Sequence, residues 1–233
     1  MTDLFSKIQE VTSLKGLAGH ESQVRDYLRQ AITPNVDRIE TDGLGGLFGI
    51  KESSAPNAPR IMVAAHMDEV GFMVSEIKED GTLRAVAIGG WNPLVLSSQR
   101  FNLITHSGQN LPLISGSVPP HFLRGQNGQA SLPNVADIIF DGGFGDKAEA
   151  ESFGIRPGDI IVPDSQAVLT ANQKNVISKA WDNRFGILMV TQLLENLKDQ
   201  QLGSTLIAGA NVQEEVGLRG AQVSTTKFDP ELF

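Results

Sequence analysis

Three short stretches of this 233-residue chain concentrate the side chains that could do chemistry. In the first, His66, Asp68 and Glu69 follow the run Arg60-Ile-Met-Val-Ala-Ala65, whose small and apolar residues predict a buried central strand. In open α/β sheets ligands gather beyond the carboxyl ends of the strands, which is where these three side chains would emerge. The second stretch, Lys179-Ala-Trp-Asp-Asn-Arg-Phe-Gly186, puts Asp182 at the start of an apolar-periodic helix. The third, Ala208-Gly-Ala-Asn-Val-Gln-Glu-Glu-Val-Gly217, puts Glu214 and Glu215 side by side at the end of a second buried strand. One imidazole and several carboxylates at such edges suggest a metal site. Zinc- or cobalt-type ions held there would activate a water and polarise a carbonyl for hydrolysis.

The spacing suggests roles. Asp68 is two residues beyond His66, close enough to accept a ring N–H and orient the imidazole. Asp182 could bridge two ions with its two oxygens. Alternation along a strand would send Glu214 and Glu215 to different sides, so that one binds metal while the other faces the attacking water as proton carrier. Each residue also has a plainer reading: His66 as a loop residue, Asp182 as an N-cap, the glutamate pair as a solvated strand end. It is the three clusters together that favour chemistry. His20, His106 and His121 have no acidic companions at ligand spacing and read as surface or packing residues. There is no His-Glu-x-x-His and no Gly-x-Ser-x-Gly, which argues against single-zinc helix proteases and α/β-hydrolases. A polysaccharide hydrolase built on the Glu pair would leave the His-x-Asp cluster unexplained.

Composition narrows the choices further. With no cysteine there is no thiolate ligand, no Cys nucleophile and no disulfide, so any metal must be held by oxygen and imidazole. A net charge of −8 and a pI near 5.0, without a run of Lys and Arg, argue against nucleic acid as a partner. The N-terminus, Met1-Thr-Asp-Leu-Phe-Ser-Lys, lacks the basic start and apolar core of a signal peptide, and no apolar run reaches transmembrane length. The expectation is a cytoplasmic protein with no membrane partner.

The elements that must position these residues follow from periodicity. Leu4, Phe5, Ile8, Val11 and Leu14 predict an opening helix capped at Thr2 or Asp3, and Val24, Tyr27, Leu28 and Ala31 predict a second over Glu21–Ile32. Val36–Thr41 and Leu47–Lys51 read as strands around the turn Asp42-Gly-Leu-Gly-Gly46. From Phe72 to about Asp164 the sequence breaks into short β-like runs, at 72–77, 83–88, 101–105, 113–118, 135–140 and 159–162, with one short helix near 146–153. This predicts a small β-barrel or sandwich inserted into the first domain. Beyond it, 167–178 would form one or two strands, Asp182 would cap a helix running to about Leu197, Thr205–Val212 would be a buried strand, and Leu218–Lys227 would open another helix. The fold class is therefore α/β: a mixed-sheet domain from residues 1–70 and 165–233, interrupted by a β-rich domain at 71–164.

Taken together, His66-Met-Asp-Glu-Val-Gly71, Ala180-Trp-Asp-Asn-Arg-Phe-Gly186 and Gln213-Glu-Glu-Val-Gly-Leu-Arg-Gly220 resemble the metal-site motifs of the glutamyl-aminopeptidase and tetrahedral-aminopeptidase family of dinuclear metallopeptidases. The Trp-Asp-Asn-Arg form is most similar to the lactic-acid-bacterial branch. The resemblance implies that His66 binds one metal, Asp182 bridges two, Glu215 is a ligand of one ion, Glu214 is the general base and Asp68 orients His66. It implies a cis peptide bond after Asp182 and a PDZ-like dimerisation domain in the β-rich insert. It also implies a peptide substrate, shortened from its N-terminus with preference for Glu or Asp, and a homodimer that builds into a larger homo-oligomer.

Members of that family run on beyond this length and supply two further ligands, an Asp and a His, with no counterpart here. The expected site is accordingly incomplete: two divalent ions, zinc or cobalt, in a complete chain, and one or none in these residues. Two functions follow as alternatives, a metal-dependent aminopeptidase and an inactive truncated fragment that keeps only the dimerisation module. No single Lys or Arg stands out in the sequence as the partner of an acidic substrate.

Overall fold

The amphipathic spacings at the N-terminus become two helices, α1 (Thr2–Ser13) and α2 (Ser22–Ile32). The latter buries Val24, Leu28 and Ile32 one turn apart. The structure is a computed structural model that describes residues 2–116 and 134–233. Val118 and His121 lie outside the described residues, as do the side chains of Thr2 and Asp3. After α2 come strands β1 (Arg38–Thr41), β2 (Leu47–Lys51) and β3 (Arg60–His66). The β-rich segment holds β4 (Gly71–Ile77), β5 (Leu83–Ile88), β6 (Arg100–Ile104), β7 (Asn110–Ser115), β8 (Ile139–Asp141), a short helix α3 (Lys147–Ser152) and β9 (Ile160–Pro163). A two-strand hairpin, β10 (Val168–Leu169) and β11 (Val176–Ile177), leads to α4 (Trp181–Leu197), β12 (Thr205–Asn211) and α5 (Arg219–Phe228).

The chain divides into two compact units, one from residues 1–69 and 166–233, the other from 70–165. In the first, a four-stranded sheet runs in the order β1-β2-β12-β3, antiparallel except for the parallel pair β12 and β3. Period-2 alternation loads both faces. Leu47, Ala65, Leu206, Ala208 and Ala210 pack in a core with α1, α2 and α4, while Phe48, Ile50, Met62 and Ile207 meet Phe228 of α5. Strand β3 is not central as its apolar run predicts. It lies at the end of the described sheet, where its outer side meets only a bridge from Leu232 to Ile61, and Val63 is 37% exposed. The strands buried on both faces are β2 and β12.

The second unit closes six antiparallel strands into a barrel, β4-β5-β8-β7-β6-β9, which leaves no open sheet edge. Phe72, Phe101 and Phe140 fill it edge to face at centroid distances of 4.9 to 5.8 Å, with Trp91 stacked on Phe72. The strand expected over 135–140 is shorter than its apolar pattern. The Asn134 side chain accepts from the Ala136 amide and sets a 3₁₀ turn at Val135–Asp137, leaving only Ile139–Asp141 extended.

Candidate metal centre

Parallel pairing puts Asn211 of β12 opposite His66 of β3, so both strands leave the sheet at the same end. The Met67 amide donates to the Asn211 carbonyl (2.9 Å) and keeps the two exits together. Gln213, at φ 56°, then ends the extended run, and Glu214 and Glu215 sit in the turn that follows. Strand alternation therefore does not separate the two glutamates, contrary to the sequence expectation. What fixes them is Asp68, a wholly buried carboxylate whose Oδ1 accepts from the Glu214 amide and Oδ2 from the Glu215 amide, both at 3.0 Å. These amides and His66 hold the Asp68 pKa below its ordinary value against the opposing pull of burial. From the other side Glu21, 2% exposed, accepts from the Gln213 amide (3.2 Å) and the Gly19 amide (2.7 Å); burial pushes its carboxyl up.

His66 is 6% exposed and makes directed contacts from both ring nitrogens. Nδ1 donates to the Asp68 backbone carbonyl (3.0 Å) and lies 3.5 Å from Asp68 Oδ1. The carbonyl is thus the nearer orienting group, and the carboxylate supports it from behind. Nε2 donates to Asp182 Oδ1 (2.9 Å), with Glu214 Oε2 at 3.7 Å. Burial weighs against charge on the ring, but Asp68, Asp182 and Glu214 outweigh it and raise the His66 pKa to about 9. Glu215 is pushed the other way for a carboxyl: burial, together with Glu214, Asp68 and Asp182, raises its pKa against the attraction of His66.

Asp182 does not cap the helix, as the sequence predicts it would. The backbone at Asp182 and Asn183 is non-helical, the peptide bond between them is cis, and the Asn183 side chain accepts from the Gly186 amide (2.9 Å) as the cap of the regular helix. This leaves the Asp182 carboxylate 88% exposed and facing the imidazole. Gly186 permits the turn, since a Cβ there would collide with Asn183 Oδ1 and sit 2.8 Å from Ala65 Cβ. His20 is exposed, and His106, in the barrel unit, is 46% exposed and 3.9 Å from Asp159.

Sequence reasoning gave no role to Glu21, Glu69, Lys179 or Arg184. Glu69 was visible in the first cluster, and Lys179 and Arg184 flank Asp182 in the second; the signal was charge placed within apolar segments. Glu69 is 2% exposed and pairs with both cations beneath the site.

In type these residues fit a divalent ion. The Nε2 proton faces an exposed carboxylate, so an ion would take the place of that proton, while Nδ1 is already committed to the orienting group. Among the described residues no three His, Asp or Glu side chains are gathered as a ready ligand set. Asp68 has both oxygens occupied by amides, which makes it an organiser of the site and not a donor to an ion.

The family model described as M42 glutamyl aminopeptidase matches residues 45–233. The chain belongs to this family. The glutamyl aminopeptidase of Lactococcus lactis is 58% identical over 231 residues, which cover 99% of this chain and 65% of that protein. Among M42-like solved structures, a TET aminopeptidase from a marine-sediment Thaumarchaeota archaeon superposes with a TM-score of 0.91 at 33% identity, covering 99% of this chain and 64% of that one. The TET1 peptidase of Pyrococcus horikoshii, which can assemble into a tetrahedron or a large octahedral shell, gives 0.85 at 28% identity, covering 97% and 66%. This chain spans 61% to 65% of the length of the first curated relatives it matches. No helix of the described residues is long and apolar enough to cross a membrane.

Proposed function

We propose that this chain carries the site of a metal-dependent aminopeptidase that removes N-terminal Glu or Asp from peptides. The observation that carries the reading is the meeting of His66 Nε2, Asp182 and Glu214 above an Asp68 whose two oxygens hold the amides of Glu214 and Glu215. His66, Asp182 and Glu215 would hold the ions. Divalent ions such as zinc or cobalt would supply Lewis acidity toward the scissile carbonyl and a water acidic enough to attack near neutral pH. Glu214, half-buried beside His66, would serve as the proton carrier between the attacking water and the leaving amine. Asp68 keeps the imidazole turned toward Asp182, and keeps the Glu214 turn at a fixed height above the sheet.

The substrate class rests on the 58% identical glutamyl aminopeptidase, and the barrel unit is proposed as the dimerisation module on which a larger homo-oligomer is built, in line with the assemblies named for the TET1 peptidase. The test is zinc and cobalt calorimetry on the purified chain, with glutamyl- and leucyl-anilide turnover in the same samples. At most one ion bound by these residues is expected, with any product released faster from the glutamyl than from the leucyl substrate. No binding and no turnover would favour the second reading, a fragment that keeps only its association module.

A further inference from the structure

Beneath the candidate site lies a charged cluster to which the reaction assigns no role. Lys179 Nζ donates to both oxygens of Glu69, each at 2.7 Å, with its own side chain 7% exposed. Arg184, wholly buried, places Nη2 3.4 Å from Glu69 Oε1, while Nη1 donates to the Met67 carbonyl. Both cations also reach the Leu14 carbonyl, at 3.3 and 3.4 Å, and the Glu69 amide donates to the Gly16 carbonyl (2.8 Å). A Cβ on Gly16 would come within 3.2 Å of Arg184 Nη2, so that turn is closed down on the guanidinium. Two cations thus share one anion, and the Arg184 Nε has no hydrogen-bond partner. Burying such a set costs desolvation that an apolar filling of the same volume would avoid, so stability is a weak reason for it.

The placement suggests another reason. Met67 and Glu69 belong to the turn that carries His66 and Asp68, and Lys179 and Arg184 bracket the turn that carries Asp182. We propose that Glu69, Lys179 and Arg184 are positioning residues that lock these two turns, and the Leu14–Gly16 turn below them, at the separation at which His66 meets Asp182. The proposal rests on the metal-site reading for its purpose and stands on the geometry for its mechanism: opposite charges directed from one turn to the other fix both spacing and rotation, whereas apolar packing would let one turn slide on the other.

The test uses Lys179→Met. Glu69→Gln would strand two buried cations and endanger the fold, but Lys179→Met leaves Glu69 paired with Arg184. The ring resonances of His66 in chelator-treated protein, assigned with His66→Asn, report whether the imidazole keeps one partner. The expected result is a folded variant in which the His66 ring signals broaden or split, and whose zinc affinity falls by about tenfold or more, the usual consequence of losing an outer-shell support. Unchanged ring signals would overturn the proposal, and so would global unfolding of Lys179→Met, because the cluster would then hold the domain together and not two side chains. If the unaltered chain binds no zinc, the metal reading fails while the ring signals still decide the positioning role.

Discussion

Glu69 and Asp182 are carboxylates in neighbouring turns of one site, yet one is 2% exposed beneath it and the other has an 88% exposed side chain above it. Below, each charge has a fixed partner and the backbone is tied to it: Glu69 with Lys179 and Arg184, Asp68 with two amides. Above, the Nε2 face of His66 meets Asp182 at 2.9 Å and lies 3.7 Å from Glu214. The lower layer spends its charges on geometry and the upper layer leaves its charges for a ligand. Removing a shared acceptor below should therefore cost folding free energy, removing Lys179 alone should disturb the placement of His66 in a folded chain, and substitutions above should cost binding.

The largest effect is expected at Glu69. Replacing it with Gln removes the anion shared by two buried cations, and breaking such a set costs about 3–5 kcal/mol. Urea titration followed by far-UV circular dichroism measures it. A midpoint equal to that of the unaltered protein would erase the distinction between the two layers. Asp68→Ala comes next: it leaves the Glu214 and Glu215 amides without acceptors in a half-buried turn, at about 1–3 kcal/mol each where water cannot replace the lost partner. The same titration should place it between Glu69→Gln and any substitution of Asp182.

How much of this could be read from the sequence differs between the layers. The upper residues stood out as candidates because imidazole and carboxylates at strand exits are an unusual combination, and a mixed α/β class with an inserted β-barrel or sandwich followed from the change of period at Phe72. The lower layer was missed because Glu69 lies 110 residues from Lys179 and 115 from Arg184, and such a set carries no local period. Only the parallel pairing of β3 with β12 and the packing of α4 bring the turns together. Local rules also misassigned two details. Asp182 precedes an apolar-periodic helix and so resembles a cap, but Asn183 wins that position with its bond to Gly186. The apolar run of β3 resembles a central strand, but among the described residues its outer side meets the Leu232 bridge and no further strand.

The pH response sharpens the comparison from the upper side. In metal-free protein the His66 pKa is raised to about 9, so the folded state binds a proton that the unfolded chain, with an ordinary His near 6.5, has released over that interval. Its stabilising contribution is complete below about pH 6.5 and is lost as pH rises through 9. Thermal melting of chelator-treated protein across that window should show the decline, and His66→Asn should flatten it. A melting temperature that rises from pH 6.5 to 9 would mean the imidazole is neutral in the fold.

The smallest effect on folding is expected at Asp182, and it is the most telling for the site. Its side chain is exposed, its ion-pair partner among the described residues is His66, and the helix behind it is capped by Asn183. Asp182→Ala should lower the His66 pKa, lower the melting temperature near neutral pH only by what the lost His66 contact contributes, and remove zinc binding. Calorimetry and ring-resonance titration of the same sample read the last two. Retained zinc affinity with a lowered His66 pKa would mean that the imidazole alone recruits the ion, and that Asp182 serves only to hold the metal-free site closed.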